Sequence, residues 1–229
     1  MIVVAFKSSK AGRVYTLLIL RYERVISSDE LMAACKLLGV GFKTALAGLS
    51  RAGAIEPVLF KGVYYVRSPE ELQLGTIRQD ALDVIARACS LKLESNWYFG
   101  LATALMLSGL WTQQHLATLT VVSKARVKRY KTAFAGFTVE FKQLSGVPID
   151  KLIKTDGVKR FSEPSRTLAD YAYFSARNKT SHYSKAMLRE VYAKTKNKEA
   201  LLKQLTSLIG KYPKPYAALM SQLFEGYRR

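Results

Sequence analysis

VISSDELMAACKLLGVGFKTALAGLSRAGAIEPVLFKGVYYV, residues 25–66, is the stretch on which the fold of this chain turns. It opens on a short β-prone run, Arg24 to Ile26. Ser27 then stands three residues before Glu30, the spacing at which a serine caps a helix start and the glutamate reaches back to it. Leu31, Cys35 and Leu38 come next at i, i+4 and i+7, and Gly39 is a natural stop, so a helix is predicted between them. After the turn Gly39 to Gly41, a second helix is predicted from Phe42 to Ala52, ending at Gly53. At about 100° per residue its wheel separates into two sides. Phe42, Ala45, Leu46 and Leu49 fall on one; Lys43, Thr44, Ala47, Gly48 and Arg51 fall on the other. A side that mixes cations with very small residues approaches a nucleic-acid groove closely, although a plain amphipathic helix with a solvated Lys and Arg has the same wheel.

The residues after Gly53 tip the balance. Ala54 to Leu59 and Val63 to Val66 are β-prone runs joined at Phe60, Lys61 and Gly62, with Gly62 suited to a positive φ. Helix, strand, helix, tight turn, helix and a hairpin with a basic tip is the order of a winged helix-turn-helix. In that fold the second helix of the pair enters the major groove and the hairpin tip sits by a phosphate. The DNA contacts expected on this basis are Ser28, Lys36, Lys43, Thr44, Ala47 and Arg51 on the helix pair, with Lys61 and Arg67 on the hairpin.

Upstream, Ala11 to Glu23 reads as a helix with Val14, Leu17 and Leu18 on one face. Downstream, Ser68, Pro69, Glu70 and Glu71 form a helix start, and Asp80 to Leu91 continues as helix. The expected organisation is a DNA-binding domain over 1–68, a helical connector over 69–92 and a larger mixed domain over 93–229. In the last, the uncharged, all-round apolar segment Tyr98 to Leu110 is predicted to be a buried helix. Strands are expected at Leu116–Val122 and Phe137–Leu144, and a helix at Ser165–Ala176 in which Arg166 and Asp170 pair as a structural brace. Helices over 184–195, 198–210 and 215–226 close the chain, and the fold class is α+β, mainly helical.

Charge is the loudest global signal. Thirty-six Lys and Arg against 17 Asp and Glu give +19, an excess that repels itself unless a polyanion is near. Generic basic solubility or an acidic-membrane patch is the bland alternative. Residues 91–229 carry 24 basic and 9 acidic side chains, so the second domain is expected to touch polyanion too. Lys124, Arg126, Lys128, Arg129 and Lys131 form its densest run, either a phosphate-tracking loop or a hairpin edge that uses charge against aggregation. Cys35 and Cys89 fit no metal-ligand spacing and are expected as buried reduced thiols. Met1 to Lys10 lacks an apolar h-region, and the apolar piece Trp97 to Trp111 is too short for a span and leads into polar residues, so a cytoplasmic protein away from membranes is expected.

The chain has no P-loop, dinucleotide fingerprint, Gly-x-Ser-x-Gly or His-Glu-x-x-His, and His115 and His182 are isolated. One trace of catalysis is Glu140 and Lys142 on the same face of a predicted strand, as in nucleases where such a pair holds a metal and activates water. That chemistry needs a second carboxylate, normally upstream, and Ser95 to Val139 contains no Asp or Glu; Asp150, Asp156 and Asp170 downstream could serve only in an unusual topology. The expectation is a non-enzyme without cofactor or metal. A metal-dependent nuclease around Glu140 and Lys142 and a basic RNA- or chromatin-binding module stand as alternatives.

Three stretches together resemble the AbiEi-type antitoxins of type IV, abortive-infection toxin–antitoxin systems. They are Val25–Val66; the segment Tyr98–Leu110, similar to the family's aromatic-initiated, Ala-rich helix; and Gly157–Asp170, similar to its strand and ensuing Glu-x-x-Arg-Thr-Leu-x-Asp. The resemblance implies a winged helix that binds inverted repeats in its own promoter, an arrangement suited to a homodimer. It also implies a second domain that counters a nucleotidyltransferase-like toxin without a stable complex. By position, Arg166, Thr167 and Asp170 would then belong to the antitoxin domain and support its structure.

Overall fold

The computed structural model describes residues 9–111, 117–128, 131–178, 189–214, 216–218 and 221. The sequence readings at His115, Arg129, His182, Tyr183 and Tyr227, and most of the expected final helix, lie outside those residues. The fold is α+β and divides into two compact units, Met1–Glu94 and Ser95–Arg229.

In the N-terminal unit, α1 (Lys10–Arg21) starts at Ser9, whose hydroxyl accepts from the Gly12 amide at 3.0 Å. Strand β1 (Val25–Ser27) leads directly into α2 (Ser28–Leu37) through the full capping box expected of Ser27 and Glu30. The Glu30 amide donates to Ser27 Oγ at 3.2 Å and the Ser27 amide to Glu30 Oε2 at 2.7 Å, which satisfies two otherwise orphaned donors. After a short turn the chain bends by 109° into α3 (Phe42–Arg51). Strands β2 (Ile55–Pro57) and β3 (Val63–Val66) complete a three-stranded antiparallel sheet of order β1-β3-β2. Val14, Leu18, Ile26, Leu31, Leu49 and Val66 are buried in one core between helices and sheet.

Helices α4 (Pro69–Leu74) and α5 (Ala81–Leu93) belong to this unit, and α5 packs on β1 and β3. The segment is anchored by Glu71, only 2% exposed. Its carboxylate accepts from the amides of Ser68 (2.8 Å), Arg78 (2.7 Å) and Gln79 (3.3 Å), from Tyr65 Oη (2.7 Å) and from Arg24. Burial pushes the carboxyl up, but the backbone donors, Tyr65 and Arg24 outweigh it and hold it down at about 2.

The C-terminal unit is built on a six-stranded mixed sheet of order β6-β7-β5-β4-β9-β8. Its strands are β4 (Trp97–Phe99), β5 (Thr118–Ser123), β6 (Lys131–Phe134), β7 (Phe137–Gln143), β8 (Ile153–Asp156) and β9 (Lys159–Ser162). Strands β5 and β7 run parallel, as do β4 and β9, the latter meeting at Phe99 and Phe161. Helices α6 (Leu101–Leu107), α7 (Pro164–Arg177) and α8 (Lys198–Ile209) supply the helical part, and residues 189–194 are also helical.

Tyr98–Leu110, expected as a single helix, is not one: Trp97, Tyr98 and Phe99 form a fully buried strand, and α6 begins only after Gly100. A run that is apolar at every position matches both periods, and the three aromatics prefer the pleated sheet. Gly100 is where the strand can turn off, because a Cβ there would stand 2.5 Å from Val122 Cγ2. Cys35 and Cys89 are both buried and unbridged. Among the described residues no single helix is long and apolar enough to cross a membrane.

Candidate nucleic-acid interface

The bent pair α2–α3 and the β2–β3 turn carry the candidate interface. On α3, Lys43, Thr44, Ala47, Ser50 and Arg51 are exposed to differing degrees, while Ala45 and Leu49 are fully buried. The two sides of the wheel therefore separate as their chemistry requires, since the apolar residues take the core and the cations take water. Gly48 lies on the same side as the cations but is half-buried against α1, where a Cβ would stand 2.6 Å from the Ala11 methyl, so it serves the helix crossing as well as the open side. Beside that crossing lies a depression of about 550 Å³ lined by Ser9, Lys10, Thr44, Ala47 and Arg51. Lys10, exposed on its rim, was not marked by the sequence; only the packing of α1 on α3 brings it beside Arg51.

The β2–β3 turn is tied to the start of α2. The Ser28 amide donates to the Gly62 carbonyl at 2.8 Å, and Ser28 Oγ donates to the same oxygen at 3.2 Å. Gly62 has φ of +79°, and a Cβ there would meet Ser28 Oγ at 2.6 Å, so the position requires glycine twice over. Lys61 stands exposed at the tip, and Lys36 is exposed on α2. Two expected contacts are otherwise engaged. Ser28 spends its hydroxyl on Gly62, and Arg67 turns inward to pair with Glu56 at 2.7 Å while its carbonyl accepts from Tyr15 Oη at 2.8 Å. Ser28 braces the turn, whereas Arg67 braces the opposite, open end of the hairpin, where its amide also donates to the Ala54 carbonyl at 2.9 Å; the sequence could not show this because their partners are distant in the chain.

In the C-terminal unit, Lys124, Arg126 and Lys128 lie on the connection after β5, and Lys131 opens β6, an edge strand. Edge position is where cations discourage sheet-to-sheet pairing, so Lys131 fits that role on geometry alone. Glu140 lies opposite Lys131 in the β6–β7 register and pairs with Lys142 at 3.5 Å. Lys142 in turn stands 5.7 Å from the centroid of the Phe174 ring. No group of three or more His, Cys, Asp or Glu suited to a metal occurs among the described residues.

Arg166, Thr167 and Asp170 are fully buried. Arg166 Nε donates to Asp170 Oδ1 at 3.1 Å, Nη2 to Tyr98 Oη at 3.0 Å, and Nη1 to the carbonyls of Pro148 (2.7 Å) and Lys151 (3.3 Å). Asp170 also accepts from Tyr98 Oη at 2.7 Å and Tyr212 Oη at 2.5 Å. Burial pushes the Asp170 carboxyl up, and the facing guanidinium and the phenol donors pull against that rise. Thr167 Oγ1 lies 2.6 Å from Ser162 Oγ. With every one of these groups inside the core and bonded to its neighbours, the cluster is a structural brace.

No family model matches the chain, and no curated protein matches it in sequence. Among solved structures, the RV2827C protein from Mycobacterium tuberculosis is similar, with a TM-score of 0.63 at 14% identity over 94% of this chain and 76% of that one. At that identity the likeness is one of fold: the chain has an architecture already seen in a solved protein.

Proposed function

We propose that this chain is a sequence-specific DNA-binding repressor of the AbiEi antitoxin type, in which the N-terminal unit works as a winged helix-turn-helix. The observation that carries the reading is the open face of α3, where Lys43, Thr44, Ala47 and Arg51 stand clear of the core. The 109° turn from α2 matches the roughly 90–120° of helix pairs that present a recognition helix. Lys61 at the tip of the adjoining turn is suited to a phosphate, and Lys10 extends the cationic rim. The antitoxin half of the reading rests on the residue resemblance at Gly157–Asp170 and on the brace those residues build. In this reading the chain performs no catalysis, holds no cofactor, works in the cytoplasm and binds operator inverted repeats as a dimer. Among the described residues no further ligands gather with Glu140 to complete a metal site, and its cross-strand neighbour is Lys131, which favours a charge-balanced sheet over a metal-dependent nuclease.

The test is a titration of the full chain against the duplex upstream of its own gene and against a shuffled duplex of equal length. The expected preference is on the order of a thousandfold or more, with affinity falling linearly in log salt. Equal binding to both duplexes sinks the repressor. Co-expression with an adjacent nucleotidyltransferase-like protein tests the antitoxin: growth restored by the chain supports it, and growth arrest unchanged removes it.

A further inference from the structure

Apart from the DNA-reading face, the C-terminal unit holds a cavity of about 450 Å³ between the Lys151–Leu152 segment and one side of α8. Lys203 and Ser207 are one turn apart on α8, and Lys211 stands just beyond its end, so all three reach the same opening. Lys151 closes the opposite rim, and Leu152 with buried Leu208 forms an apolar floor. No acidic side chain lines the cavity, and Lys151, Lys203 and Lys211 have no ion-pair partner among the described residues.

Its walls are fixed from behind by the buried brace. Arg166 Nη1 donates to the Lys151 carbonyl at 3.3 Å, and Tyr212, next to Lys211, donates to Asp170 at 2.5 Å. Ser165 Oγ donates to Gln204 Oε1 at 2.8 Å, which leaves the Gln204 amino group to serve the cavity it lines. The Glu163–Asp170 segment thus holds three parts of the cavity rim in place, and such pre-ordering lowers the cost of binding.

We propose that this cavity binds a nucleoside di- or triphosphate. Three ammonium groups around one opening repel one another until an anion joins them, and lysine is a ready point-charge partner for phosphate. The volume lies in the range of small-molecule pockets, roughly 300–1,000 Å³. A base or ribose edge covers the leucine floor while the phosphates meet Lys203, Lys211 and Lys151. An extended phosphodiester strand has no use for such a floor.

The experiment is calorimetric titration of the full chain with ATP, GTP, pyrophosphate and a short duplex lacking the operator. Two variants accompany the parent, Lys203→Ala/Lys211→Ala and, as a charge-matched control, Lys124→Ala/Lys128→Ala. Saturable one-to-one binding of a nucleotide is expected, weakened about tenfold or more in the first variant and unchanged in the control, each lost charged hydrogen bond being worth about that much. Pyrophosphate binds about tenfold weaker than the nucleotide, because burying the apolar floor contributes a comparable free energy. Absence of nucleotide binding, equal loss in both variants, pyrophosphate binding as tightly as nucleotide, or displacement of nucleotide by the duplex each overturns the proposal. Loss of operator recognition in α3 variants, by contrast, leaves it untouched.

Discussion

Gly48 and Ala11 meet so closely that a single methyl added to the glycine would stand 2.6 Å from the alanine methyl. The crossing of α1 and α3 thus depends on a missing side chain. Gly48→Ala gains about 1 kcal/mol of helix propensity but overpacks the crossing by about 1–3 kcal/mol, so a net loss and a melting temperature lower by a few degrees are expected. Adding Ala11→Gly should return part of that loss. Thermal unfolding of the two single variants and the double variant reads the coupling directly; a Gly48→Ala protein more stable than the parent contradicts the contact.

On the proposed reading, Lys61 meets a phosphate whereas Lys43 and Arg51 meet base edges. Lys61→Ala should weaken binding to every duplex alike and reduce the salt slope by about 1, since a phosphate carries no sequence. Lys43→Ala and Arg51→Ala should instead shrink the gap between operator and shuffled DNA, by about 1–3 kcal/mol for a lost base contact. Variants at Lys43 and Arg51 that bind all duplexes like the parent would show that α3 does not enter the groove.

Acid should find the N-terminal unit through Glu71. Its carboxyl lies at about 2 in the folded chain against an ordinary value of 4.5, so folding prefers the ionised form. That stability is complete above about pH 4.5 and drains away as pH falls toward 2, amounting to about 3 kcal/mol. Glu71→Gln should therefore destabilise the unit at neutral pH, with the difference from the parent shrinking through that acid window. A pH-independent difference in denaturant midpoints would place the effect elsewhere.

Breaking the Arg166–Asp170 pair from either side leaves one buried charge alone. Arg166→Ala should cost about 3–5 kcal/mol, and Asp170→Asn less, because the amide still accepts from a phenol. Chemical denaturation monitored through the fluorescence of Trp97 and Trp111 resolves both. Wild-type stability in Arg166→Ala would mean that the Tyr98, Asp170 and Tyr212 cluster reorganises without it.

The N-terminal half was legible where the signals are local. Ser27 with Glu30, Gly39, Gly53 and Gly62 each act within a few residues, and the structure has the helices and hairpin they punctuate. Glu71 shows the limit. Its place in a helix start is written in Ser68 and Pro69, but its partners Arg24 and Tyr65 come from a strand flank and a strand, and no spacing announces them. The aromatic run at Trp97 misled for a different reason, since an unbroken apolar stretch has no period to read. Strand β8 escaped notice because Lys154, Thr155 and Asp156 are exposed and give no alternation. For the candidate interface, the wheel of α3 located Lys43 and Arg51, while Lys10 and the inward turn of Arg67 depend on tertiary packing.

The register of β4 also bears on how the chain is made. This strand lies between β5 and β9, and its partner residue Phe161 is synthesised long after Phe99. A nascent chain can zip β4 to β5 early, yet one flank of that strand stays open as an adhesive edge until the hairpin of β8 and β9 leaves the ribosome. A chain that ends before residue 161 therefore lacks the partner of Phe99 and leaves that flank of β4 unpaired.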